Sequence, residues 1–196
     1  MRALVTIVAL LMVLPVFGQE NVPVRATLLE GSAIEIDGTS TVNSFTCKSD
    51  ALDGWGRLAG YGDAVQTEVR LIVPVRSFDC GKRRMNQDMF QAMQGAQHPA
   101  IEFELVQVTN LGATATGQRL RVEGILRLAG VRRPISFVAE GHQTSAGRMH
   151  VRGELPLLMS DFGIDPPSAL MGLVQAHDRI EIRFNLMAAI EGPGLM

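Results

Sequence analysis

The 196-residue chain is short of most residue types that announce a function. Acidic and basic residues nearly balance at 20 and 18, and the net charge of −2 gives no case for a nucleic acid or an anionic surface as partner. The basic residues are almost all Arg and form no run. The four histidines, His98, His142, His150 and His177, make no H-x-H or H-x-x-x-H pair, so a zinc or copper site has no local signature. No G-x-S-x-G is present, which leaves a serine hydrolase of that type unsupported. The two cysteines, Cys47 and Cys80, lie far from C-x-x-C spacing, and no histidine stands close to either. Asp161-Phe162-Gly163 echoes a kinase metal-binding tripeptide, but no other kinase element accompanies it. Beyond the first residues, no apolar stretch is long enough to cross a bilayer as a helix.

At the N-terminus, MRALVTIVALLMVLPVFG places one Arg before a short apolar run broken by Pro15, with Val16 and Gly18 at −3 and −1. This pattern is expected to be a secretory signal peptide over residues 1–18, cut before Gln19, rather than a membrane anchor. No Cys follows to carry a lipid. The mature chain is then expected to be soluble and outside the cytoplasm, periplasmic or secreted. In an oxidising compartment, Cys47 and Cys80 most simply form one disulfide. Such a bridge is expected to be structural, so that its loss lowers stability and spares any ligand uptake.

Period-two alternation runs through most of the chain. AIEID at Ala33–Asp37 and the stretch Thr41–Lys48 are the first strands expected. Val69, Leu71, Val73 and Val75 face together within Val65–Phe78, and Ile101, Phe103 and Leu105 oppose Glu102 and Glu104. Arg119–Leu128, Ile135–Ala139 and Met149–Leu155 continue the pattern. IEIRFNL is the clearest, with Ile180, Ile182, Phe184 and Leu186 against Glu181, Arg183 and Asn185. Eight or nine antiparallel strands with Gly-rich turns predict an all-β sandwich or closed barrel. The single convincing helix spans Arg83–Gln94, where Met85, Met89 and Met93 recur at four-residue steps beside Phe90. That methionine stripe reads as packing on the sheet, as an adaptable lid over a ligand, or as a cuprous-ion site. The glycine-rich Gly54–Gly62 lacks phosphate-loop and dinucleotide spacings and is expected to be a flexible turn. The domain is expected over residues 31–190, after a leader at 19–30 and before a flexible tail at 191–196.

Five motifs follow one another in order: Ser40-Thr41-Val42-Asn43-Ser44-Phe45; Pro74-Val75; Met85-Asn86-Gln87-Asp88-Met89 leading to His98-Pro99-Ala100-Ile101-Glu102-Phe103; Gly124-Ile125-Leu126-Arg127-Leu128-Ala129-Gly130-Val131-Arg132-Arg133-Pro134; and Ser160-Asp161-Phe162-Gly163-Ile164. Together they resemble the YceI-like family of secreted polyisoprenoid-binding proteins. The resemblance implies a lipocalin-like antiparallel barrel of about eight strands with a small helical insertion. It also implies an elongated apolar cavity for an isoprenoid or similar amphiphile, and no catalysis. Gln87-Asp88 stands where the family usually carries Arg-Asp, so a charged contact at that position is in doubt. The cysteine pair resembles a variant of the family that carries one.

On this resemblance, the cavity wall and mouth are expected to be Phe45, Met89, Met93, Ile101, Phe103, Phe137 and Phe184, with Trp55, Phe90 and Phe162 near the mouth. No catalytic residue, metal or resident cofactor is expected. The ligand class spans isoprenoid quinones, polyprenyl phosphates and other long amphiphiles. Transient membrane contact and pairing of two chains stay open. The rival reading is a structural or interaction β-sandwich of the cell envelope with a filled core, and an unrecognised enzyme or haem-linked redox partner is a third.

Overall fold

The computed structural model describes residues 24–61, 64–144, 147–169 and 173–192. The expected signal peptide and the last four residues lie outside them. Eleven strands and one helix follow in order: β1 (Val24–Leu28), β2 (Ala33–Ser40), β3 (Ser44–Ser49), β4 (Asp53–Tyr61), β5 (Ala64–Pro74), α1 (Arg83–Ala92), β6 (Ala100–Ala113), β7 (Gln118–Leu128), β8 (Val131–Thr144), β9 (Arg148–Leu158), β10 (Ser168–Ala169) and β11 (Val174–Glu191). All pairings are antiparallel. The ring runs β1-β4-β5-β6-β7-β8-β9-β11, and β1 pairs back onto β11 through Arg25–Leu28 against Ala188–Glu191, closing eight strands into a barrel. β11 is long enough to serve two partners on that edge. Its second part meets β1, and Ala176–Asn185 meets β2, which carries β3 on its far side.

Alternation sorts the two faces. Outside, charges of opposite sign stand directly across from one another: Glu154 faces Arg183, Arg183 faces Glu35, and Glu35 faces Lys48. Arg183 reaches Asp37 at 2.5 Å and Glu35 at 3.1 Å, and Arg152 reaches Glu140 at 2.8 Å. These exposed pairs add little stability each. They do make the outer wall one that suits water rather than hydrocarbon.

Inside, the side chains meet at the α1 end, where Ile36, Val73, Ile101, Leu126, Leu128 and Ile180 are buried. In mid-barrel Phe137 touches both Phe103 and Phe184, with ring centroids 6.0 and 5.4 Å apart. These three rings, and Val151 and Leu186 beyond them, are only half-buried although they point inward. The barrel is therefore not filled from end to end. Inward glycines explain part of the space, because Phe103 and Phe184 each lie against a neighbouring strand at a position with no side chain. An added Cβ on Gly124 would fall 2.3 Å from the Phe103 ring and 2.6 Å from the Glu104 carbonyl oxygen, and one on Gly153 would fall 2.5 Å from Phe184.

The Gly54–Gly62 turn expected from sequence is strand β4 as far as Tyr61. Inward Gly54 and Gly56 are buried beneath neighbours such as Leu71 and Ala26, so this strand shows no apolar alternation. β1 likewise falls within the stretch read as a leader and completes the ring. The β7–β8 turn is a two-residue hairpin with positive φ at both Ala129 (48°) and Gly130 (79°). The His98 ring packs so close to Gly130 that a Cβ there would sit 2.5 Å away.

Cys47 and Cys80 are bridged, across a sequence separation of 33. Cys47→Ser is expected to lower stability by roughly 3–4 kcal/mol in the chain-entropy model. Denaturant melts with and without a thiol reductant check this, since the native protein should lose the same increment on reduction. Gly124→Ala is expected to cost about 1–3 kcal/mol through overpacking against Phe103, read from the urea midpoint at unchanged slope.

Candidate ligand-binding site

The α1 end of the barrel is assembled by a polar knot. The Asp79 carboxylate accepts from the Gly81 N–H at 2.9 Å and from the Asn86 side-chain amide at 3.1 Å, while Asn86 Oδ1 accepts from the Cys80 N–H at 2.7 Å. These bonds, the Asn86 bond first, hold the Asp79 carboxyl below its ordinary value of 3.8. Asn86 therefore ties the first turn of α1 to the chain just before it, where Lys82 offers no side-chain cap. Beside the knot, the Lys48 and Asp79 backbones exchange two hydrogen bonds, of 2.9 and 2.8 Å. The Ser49 and Ser77 hydroxyls bond at 2.6 Å, with Ser49 buried. The helix is thus tied to β3, with its methionine face turned to the barrel.

Under that face lies a cavity of about 240 Å³. Its floor is Ile36, Phe45, Ile164, Ala176 and Ile180, together with the Cys47–Cys80 bridge. Met85, Met89 and Ala92 come from α1, Met93 from the residue that ends it, and Met159 from the short 3-10 turn Met159–Phe162 that follows β9. Sulfur is dense here. The Met89 thioether stands 3.5 Å from Cys80 Sγ, a sulfur–sulfur contact, because a bridged cysteine has no thiol proton to donate. The rim is polar at Ser40, Asn43, Asp88 and Ser168 and apolar at Val42, which is 66% exposed. The volume falls below the ~300–1,000 Å³ usual for drug-sized ligands. Unbranched methionine side chains re-pack easily, so a wall built from four of them can widen at small cost. A second concavity, on the outer wall, is lined by the charged Arg119, Glu140, Arg152, Glu154 and Arg183 together with uncharged residues such as Val138 and Phe184.

Of the residues expected at the site, Phe45, Met89 and Met93 line this cavity. Ile101 lies in the buried core, and Phe103, Phe137 and Phe184 form the half-open aromatic group in mid-barrel. Three expectations need correction. Trp55 is on neither a turn nor a mouth; it sits on strand β4 and faces outward, 45% exposed, because its neighbours Gly54 and Gly56 take the inward positions. Phe90 packs on Gly95 and beneath the Arg76 guanidinium, 5.1 Å from its ring, so it steadies the end of α1. Phe162 is 1% exposed and belongs to the core. The bridge does not stand apart from the site either, since both cysteines are in the cavity wall. The rim residues Ser40, Asn43 and Asp88 were missed. They lie within two of the five motifs, which was their only signal, since periodicity says nothing of the Ser40–Asn43 turn and shows Asp88 only as a polar position on a helix.

Met159 owes its position to Asp178 on β11. One carboxylate oxygen accepts from the Ser160 N–H at 2.8 Å and the other from its hydroxyl at 2.5 Å. The hydroxyl bond, then the amide bond, holds the Asp178 carboxyl below its ordinary 3.8. A lowered folded value means that this stabilisation is full above the unfolded value and is lost as pH falls through the folded one. The melting temperature of the native protein should hold from neutrality to about pH 4 and drop below it. Asp178→Asn should melt lower at pH 7 and lose less between pH 4 and pH 2; an equal acid-side drop in both would show that Asp178 has no part in it.

These features define a closed antiparallel barrel of lipocalin type, with an apolar, helix-covered cavity at one end. The chain belongs to the YceI-like family: the YceI-like domain matches residues 24–188, nearly all of the described chain. Among solved structures, it is similar to BcnA of Burkholderia cenocepacia, at 19% identity over 81% of this chain and 96% of that one, with a TM-score of 0.64. It is similar also to a polyisoprenoid binding domain from Saccharophagus degradans implicated in plant cell wall breakdown, at 16% identity over 85% and 98%, with a TM-score of 0.64. The YCEI protein of Campylobacter jejuni matches at 15% identity over 71% and 82%, with a TM-score of 0.55. At these identities the structures establish a shared fold. No curated protein sequence matches the chain.

Proposed function

We propose that the protein binds a polyisoprenoid or a similar long amphiphile and carries or stores it without catalysis. The observation that carries this reading is the apolar, methionine-walled cavity beneath α1, in a barrel whose interior is left partly open. Burying hydrocarbon in such a site gains roughly 0.8 kcal/mol per methylene, which needs no reacting group. Membership of the YceI-like family supports the reading, as does the polyisoprenoid binding domain among the similar structures. The signal-like N-terminus and the bridged cysteines support a place of action outside the cytoplasm, periplasmic or secreted. The filled-core structural protein is the weaker reading, because such a protein has no use for inward rings left half-exposed or for a cavity with a polar rim.

Mass spectrometry of an organic extract of the purified protein should yield a co-purifying isoprenoid or related lipid. Stripped protein should take up a neutral apolar fluorophore such as Nile red. Ala92→Trp, which pushes a large ring into the cavity from α1, should weaken that uptake at least about tenfold with a change in stability of no more than about 1–3 kcal/mol. Absence of lipid together with failure of native protein to take up the dye would overturn the reading.

A further inference from the structure

The cavity carries charge of one sign only, and this bears on which amphiphile suits it. Among the described residues lining it, Asp88 is the single charged side chain. It stands on α1 between Met85 and Met89, with 23% of its side chain exposed and its two oxygens 3.0 and 3.2 Å from Arg84 Nε. Arg84 points to solvent, 79% exposed, and neither it nor the exposed Lys82 and Arg83 lines the cavity. Asn43, at the β2–β3 hairpin, supplies the complementary group. Its backbone carbonyl and Oδ1 accept from the Ser40 hydroxyl at 3.0 and 2.8 Å, and its side-chain N–H groups make no hydrogen bond among the described residues.

The rim thus offers a carboxylate that accepts and an amide that donates, above an apolar floor. A hydroxyl head has the chemistry for either group, since it can donate to the Asp88 carboxylate and accept from the Asn43 amide. A phosphate or carboxylate head can only accept, and it would bring a second negative charge beside Asp88 where apolar walls strengthen the repulsion. We propose that the cavity selects amphiphiles with an uncharged, hydrogen-bond-donating head, such as an alcohol, phenol or hydroquinone, over those with an anionic head, and that Asp88 is the specificity-determining residue. This inference rests on the lipid-binding reading above and narrows it.

The test is displacement of Nile red from the full chain by farnesol and by farnesyl phosphate, with native protein, Asp88→Asn and Asp88→Lys, each checked for native circular dichroism. Farnesol should displace the dye at a concentration at least about tenfold lower than farnesyl phosphate. Asp88→Asn should bring the two to within about threefold and Asp88→Lys should reverse them, while added salt should narrow the native gap. Equal potency on native protein, or a gap unchanged in Asp88→Asn, would overturn the proposal. So would preference for the phosphate, which would assign the head to the outer cations Lys82, Arg83 and Arg84. If native protein binds no Nile red and neither farnesyl compound, the lipid-binding reading itself fails and takes this inference with it.

Discussion

The structure depends on one seam. β1 and β2 follow each other along one line of the wall, as do β3 and β4, so the ring is made by β1 and β4 toward one end and by β2 and β3 toward the other. At the second end, β3 has no regular strand on its outer edge among the described residues. The gap is joined by two backbone hydrogen bonds between Lys48 and Asp79, by the Ser49–Ser77 hydroxyl pair and by the disulfide next to them. Everything that makes the cavity hangs from this join. α1 begins three residues after Cys80 and is held to it by Asn86, and its methionines reach the interior only because that end of the helix is pinned. A covalent bond suits the place, since a seam of two hydrogen bonds at an open edge would fray on its own.

A second constraint acts across the wall. A small barrel can be filled by its own side chains or hold one slim ligand, and the choice lies in the size of the inward residues. Here the inward positions mix bulky and very small side chains: Phe103 lies over Gly124, Phe184 over Gly153 and Phe45 over Gly38. Each ring is pressed against the wall instead of reaching across the lumen. The result combines a well-buried layer near α1, which gives the fold its stability, with half-open space in mid-barrel. The charged outer wall is the counterpart: with apolar groups spent inside, Arg, Glu, Asp and Lys pair around the exterior and keep it wet.

Much of this was legible in the sequence where the chemistry is local. Strands with apolar alternation, such as β6, β7 and β11, announced themselves, and so did α1, whose methionines recur at helical spacing. β4 was not legible, because Gly54 and Gly56 take its first inward positions and leave no apolar alternation there to read. β1 was hidden by brevity, and its place depends on the far end of β11, more than 150 positions along the chain. The site divides in the same way. Met89 and Met93 were readable as a stripe, though not whether they pack on protein or face a space; Phe45 was readable as an inward ring. Trp55 misled because a large aromatic beside glycines suggests a turn, when in fact the glycines face in and the indole faces out. The polar rim is set by which turn meets which helix face, a tertiary fact that no period carries.

The methionine stripe shows why packing and binding are poor alternatives at such a site. The same side chains close the barrel end and form the wall against which a ligand would lie. A branched side chain could do one of these well. An unbranched thioether can do both, because several of its rotamers lie close in energy and its sulfur makes favourable contacts in each. The helix must then be held firmly from outside so that only its side chains yield, and the Asp79–Asn86–Cys80 knot and the bridge to β3 do this from the seam. Rigidity at the backbone and softness at the side chain are thereby separated by a single helical turn.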